Sequence, residues 1–90
     1  MNFSDALNRM KAGEKITRTG WRLADQWVVY QAGYPEGIAI NANTARAIGL
    51  PEGTVCRFQS YILSHTADGS FAPWMPTGTD VLADDWKVVS

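Results

Sequence analysis

Metal-ligating side chains are nearly missing from this chain, which has one cysteine, Cys56, and one histidine, His65. A lone cysteine cannot close an intrachain disulfide, which fits a reducing compartment. This pair also falls short of the Cys/His sets at short spacing that hold zinc, so no metal site is expected. No run of about eighteen apolar residues occurs, so the sequence offers no membrane-spanning helix. The opening MNFSDALNRMKAGEK lacks the apolar stretch of a signal peptide, and the expected location is the cytoplasm. Excess positive charge is lacking too: eight Lys and Arg face nine Asp and Glu, for a net charge of −1. That balance excludes the basic footprint needed to grip a DNA or RNA backbone. No G-x-S-x-G, Walker loop, H-E-x-x-H or other cofactor motif is present.

What remains is small and apolar enough to fold. Ninety residues with 46% hydrophobic content suit one globular domain. A chain of this length buries only roughly 60% of its unfolded surface, so self-association is a natural way to extend the core. Phe3, Ala6, Leu7 and Met10 lie at helical spacing, with Ser4 as N-cap and Gly13 as stop, which predicts a helix over Ser4–Ala12. Lys15–Arg18 and Gln26–Gln31 read as strands. In the middle, Pro35–Gly37 and Pro51–Gly53 punctuate turns around a short helix over Thr44–Ile48, capped by Asn41 or Asn43 and closed by Gly49. Val55–Thr66 has strand composition throughout, Asp68–Gly69 is a hairpin turn, and Ser70–Trp74 returns antiparallel with Pro73 at an edge. Thr79 or Asp80 caps one turn before a final strand, WKVV. The predicted fold is α+β: an N-terminal helix on an antiparallel sheet of four to five strands, with a short helical excursion in the middle.

Two readings of the chemistry compete. Asp80, Asp84 and Asp85 with His65 would suit a hydrolase, but helix capping for Asp80 and solvated turns for Asp84 and Asp85 account for these acids better, and His65 reads as an exposed strand residue beside the hairpin. The four tryptophans carry the other reading. Trp27 and Trp86 sit inside apolar strand runs and read as core anchors. Trp21 follows a glycine between Arg18 and Arg22, and Trp74 sits between Pro73 and Pro76 where a strand ends. An aromatic plane beside a guanidinium suits a nucleobase and its phosphates.

The residues also resemble a known family. The N-terminal pattern A-L…K-x-G…I-T-R-x-G-W uses Ala6, Leu7, Lys11, Gly13, Arg18, Gly20 and Trp21. The C-terminal pattern T-A-D-G-x-F-x-P-W…T-D-x-L-A-x-D-W runs from Thr66 through Phe71, Trp74 and Asp80 to Asp85 and Trp86. Together they are similar to the phage Thoeris anti-defence family of the second type, in its longer-member subtype. The PTGTD segment, Pro76–Asp80, departs from the P-S-Q-T-D often found there.

The resemblance implies a non-enzymatic sponge. It would bind glycocyclic ADP-ribose made by Thoeris TIR proteins, and in some members cyclic di- or trinucleotides, without cleaving them. It also implies homo-oligomers, tetramers in the best-known cases, with pockets at subunit junctions. On this reading Trp21 and Trp74 stack on the ligand, Arg18 supplies charge, and Asp80 and Tyr61 supply polar contacts. Asn41, Asn43 and Thr44 would form a second polar site, with helix capping as their competing role. A hydrolase of such nucleotides and a protein-binding phage factor are the alternatives.

Overall fold

Helix α1 (Phe3–Lys11) lies across one face of a five-stranded sheet, and this pair forms the body of the molecule. The structure, a computed structural model, describes residues 1–22 and 25–89. The helix starts one residue earlier than its hydrophobic spacing suggests, because Asn2 rather than Ser4 is the cap. Asn2 is extended, and its side chain accepts the Asp5 amide at 2.8 Å. Ser4 already lies inside the first turn. Ala6 and Met10 face inward, where they meet Ile16, Val28 and Trp86 in the buried core.

The sheet uses strands β1 (Ile16–Arg18), β2 (Trp27–Gln31), β5 (Tyr61–His65), β6 (Phe71–Pro73) and β7 (Trp86–Val88), in the order β6-β5-β2-β1-β7 with antiparallel pairing. Pro73 occupies the outer strand β6, where a missing N–H costs no ladder bond. Register decides which side chains share a face. Ile16 pairs with both Val28 and Val88, and Arg18 pairs with Trp86, so these point toward α1. Trp27 pairs with His65 and His65 with Phe71, so this trio points the other way.

Trp27 is therefore not the core anchor its apolar neighbours suggest. It stacks on the His65 ring with centroids 4.7 Å apart, takes the Phe71 edge, and carries the Lys15 ammonium 4.5 Å above it. Val28, one residue on, takes the buried place instead.

The middle of the chain leaves the body as an arm. Strands β3 (Tyr34–Ala39) and β4 (Val55–Phe58) pair only with each other, and α2 (Ala42–Ile48) joins them. Asn41 caps α2 through the Thr44 amide at 2.9 Å, and Gly49 ends it in the left-handed region. Two expectations change here. Pro35–Gly37 is a register shift within β3, not a turn, with Gly37 at φ +96. Val55–Thr66 is not one strand, for it breaks after Phe58 and its two halves join different sheets. The arm stretches the molecule to 45 × 27 × 25 Å, with a radius of gyration of 15.5 Å. A compact chain of this length would have about 12 Å.

Helix α3 (Gly78–Leu82) precedes β7. Its cap is Thr77, not Thr79 or Asp80. Asp80 is the reciprocal partner of that cap, accepting the Thr77 amide while its own amide donates to the Thr77 hydroxyl.

Candidate ligand site

Four of the residues singled out from the sequence meet at one corner of the body. Arg18 leaves β1 on the α1 side and reaches both C-terminal acids. Its Nε donates to Asp85 Oδ1 at 2.7 Å and its Nη1 to Asp80 Oδ1 at 2.8 Å. Trp21 donates its indole N–H to the same Asp80 oxygen at 3.2 Å, and the Gly20 amide donates to Asp85 at 2.7 Å. Gly20 is tightly confined, since a Cβ there would stand 2.7 Å from the Asp85 carboxylate. Asp85 is thus a fixed ion-pair partner rather than the solvated turn acid expected.

Aromatic rings close the corner. Trp21 meets Trp74 edge-on at 6.0 Å and Trp86 edge-on at 5.2 Å, while Phe3 packs on Trp86 at 5.4 Å. Trp86 is buried and donates its N–H to the Asp80 carbonyl at 2.9 Å. Trp21 and Trp74 are half-buried against this core and keep part of their ring surface in solvent.

The electrostatics follow from these contacts. Burial alone would raise the Asp80 pKa, but the Thr77 amide, Arg18, the Thr77 hydroxyl and Trp21 together hold it below the usual carboxylate value. Hydrogen bonding from Arg18 lowers Asp85 first, with the Gly20 amide adding to it. Carboxylates held this strongly ionised are poor general acids near neutral pH. One guanidinium faces two carboxylates, the Met1 ammonium donates to the Asp84 and Trp86 carbonyls beside them, and the three hydrogen bonds Arg18 makes leave little of its fork for a phosphate. His65 is on the opposite face of the sheet from Arg18, with Nδ1 2.6 Å from the Asp25 carbonyl oxygen.

Tyr61 does not join this corner. It lines a cleft at the foot of the arm, about 380 Å³ in volume, together with Gln31, Tyr34, Asn41, Thr44 and Gln59. Asn41 and Thr44 thus sit beside Tyr61, whereas Asn43 is exposed on α2 and does not line that cleft. Among the described residues no cluster of His, Cys, Asp and Glu is arranged to hold a metal, and no helix is long and apolar enough to cross a membrane.

A family profile described as the Thoeris anti-defense 2-like domain matches residues 1–89. The chain belongs to that family. It is also 30% identical to Thoeris anti-defense 2 of Bacillus phage SP01, over 90 residues that cover 100% of this chain and 96% of that protein. In this Thoeris anti-defense 2-like chain, the patterns near the two ends make one structural unit. The arginine and tryptophan of I-T-R-x-G-W dock onto the two aspartates of T-D-x-L-A-x-D-W. Neither motif is complete without the other. Sequence reading missed Asp85 as the second partner of Arg18; its signal was the pairing of an Arg-x-Gly-Trp turn with a distant Asp-Trp.

Proposed function

We propose that this protein sequesters a cyclic nucleotide signal of Thoeris defence, with glycocyclic ADP-ribose as its ligand, and holds it without cleavage. The observation that carries this reading is the family match along nearly the whole chain, to a relative whose name is an anti-defence activity. The exposed parts of the Trp21 and Trp74 rings offer stacking surface for adenine. Arg18 and Asp80 act here chiefly as the brace that fixes Trp21, and ligand hydroxyls meet Asp80 only at the edge of that brace. Tyr61, Asn41 and Thr44 provide polar contacts in the cleft at the foot of the arm for a second ligand of cyclic di- or trinucleotide type, with Asn43 outside that cleft.

Arg18, engaged by Asp80 and Asp85, has little capacity left for a doubly charged ligand. Cations therefore come from a neighbouring copy, and the working unit is a homo-oligomer, a tetramer on the family's pattern. Exposed Ile48, Leu50, Val55 and Phe58 on the arm, and Met75 and Leu82 near the corner, favour such association.

A protein that sequesters without turnover needs a dissociation constant below the signal concentration, and nanomolar affinity corresponds to about −12 kcal/mol. The test is direct. Protein is incubated with glycocyclic ADP-ribose, freed of unbound ligand and heat-denatured, and the released molecule is analysed. Intact ligand at one or fewer per subunit is the expected result, with affinity lowered in Trp74→Ala. A linearised product would mean hydrolysis and end the sequestering reading.

A further inference from the structure

Strands β2 and β5 of the body run on into β3 and β4 of the arm as one interrupted hairpin. The last pair of the body ladder is Gln31 with Tyr61, and the first pair of the arm ladder is Tyr34 with Phe58. Each strand advances by the same number of residues between these pairs, so the two ladders stay in phase and only 32–33 and 59–60 drop out. Among the described residues no backbone hydrogen bond crosses this gap. The interruption is symmetric and forms a waist between body and arm.

Close packing at the waist is confined to one point. A Cβ on Gly33 would stand 2.6 Å from both Gln59 C and Ser60 N, so the two backbones touch there with no side chain between them. Beyond that point the arm is unsupported. Among the described residues, no strand or helix of the arm packs on a strand or helix of the body. The arm is braced within itself by the β3–β4 ladder and by its own buried Ile40 and Ala45. Two braced units, joined by short unpaired segments that meet at one glycine, make a hinge.

Clefts flank the waist, each with one wall on the body and one on the arm. A larger cleft, about 980 Å³, has Tyr30 on its body wall and Pro35 and Arg57 on its arm wall. The smaller one, about 380 Å³, has Gln31 and Tyr61 on the body and Asn41 and Thr44 on the arm. Successive residues of β2 point to opposite faces, so Tyr30, in phase with Val28, sets the larger cleft on the α1 side and Gln31 sets the smaller one on the other.

We propose that the arm tilts as a unit about this waist, and that the tilt works the two clefts as a seesaw, one narrowing as the other widens. Movement toward α1 brings Pro35 and Arg57 onto Tyr30 and draws Asn41 and Thr44 away from Tyr61. A molecule gripped between the walls of the smaller cleft therefore shifts the population toward the tilt that opens the larger one. The hinge follows from the path of the chain and does not rest on the sequestering reading.

Residual dipolar couplings of the whole isotope-labelled protein, in a weakly aligning medium, test this. Couplings from 34–58 and from the body, 1–22, 25–31 and 61–89, are fitted separately. A swinging arm should report a smaller alignment magnitude than the body. Ala32→Cys with Ser60→Cys, in a Cys56→Ser background, places a cross-link over the gap at positions the register sets opposite each other. Oxidation should bring the two magnitudes together, and reduction of the same sample should separate them again. Thr44→Trp fills the smaller cleft and Arg57→Trp the larger, so the arm should rotate toward α1 in the first and away from it in the second. Equal alignment of arm and body in the wild type would overturn the hinge. So would a difference that survives the oxidised cross-link, since the motion would then lie outside the waist. Rotation in the same sense by both tryptophans, or by neither, would overturn the seesaw. Failure of glycocyclic ADP-ribose to bind at the tryptophan corner leaves these couplings unchanged.

Discussion

Asp80→Asn isolates the brace between the two ends of the chain. The native carboxylate accepts from four donors: Arg18 Nη1 at 2.8 Å and Trp21 Nε1 at 3.2 Å on Oδ1, and the Thr77 amide at 3.0 Å and hydroxyl at 2.9 Å on Oδ2. An amide has one acceptor oxygen and one NH2. Whichever way it turns, its NH2 meets either Arg18 and Trp21 or the Thr77 backbone N–H. The change removes a charge-assisted hydrogen bond, worth about 1.5–3 kcal/mol, and leaves a donor facing a donor, at about 1–3 kcal/mol. Arg18 retains Asp85, which softens the loss, so about 3 kcal/mol is expected. For a domain of this size each kcal/mol lowers Tm by roughly 4–8 °C, giving a fall of about 12–24 °C. Urea unfolding followed by circular dichroism should show a lower midpoint at unchanged slope. Combined with Arg18→Met in a double-mutant cycle, the coupling should exceed about 1 kcal/mol. A loss under about 1 kcal/mol for Asp80→Asn, with no coupling to Arg18, would refute the claim that the brace holds the body together.

The same contacts predict an acid response. Asp80 and Asp85 have folded pKa values below the ordinary one, so their stabilisation is complete above the unfolded value near ~4 and drains away as pH falls through the lowered folded values. Urea midpoints for the wild type should therefore hold steady from about pH 7 to 5 and drop below about 4, and the drop should be shallower in Asp80→Asn. At the foot of the arm, Gly33→Ala drives a methyl group into the 58–60 backbone. It should cost about 1–3 kcal/mol by overpacking, measured by thermal denaturation. It should also alter both clefts together, since they share Ala32, Phe58 and Gln59.

Local signals in the sequence are legible where a single element decides the outcome. Helix α1, the Asn41 and Gly49 ends of α2, the Asp68–Gly69 turn and the edge position of Pro73 all follow from side chains acting within a few residues. Errors arose where partners are distant. The break after Phe58 is invisible in composition, because β4 and β5 are both strand-like and differ only in which sheet they join. Trp27 and Val28 are equally apolar, and only pairing with His65 and Ile16 decides which faces α1. Trp21, Trp74, Arg18 and Asp80 do lie at one corner of the body. Their spacing in sequence, however, could not reveal that Arg18 is neutralised by acids more than sixty residues away.

The sheet order also sets an order of assembly. Both strands of the arm lie between residues 34 and 58, so they can pair as soon as that stretch has been synthesised. Strand β1 must wait, because its outer neighbour is β7 and Ile16 has no partner on that side until Val88 exists. Until β7 docks, the β1 edge of the body is bare. Such an edge pairs readily with other strands. The closing of β1 by β7 then coincides with the docking of Arg18 onto Asp85, so the charge brace works as a latch on the slowest, most distant pairing in the molecule.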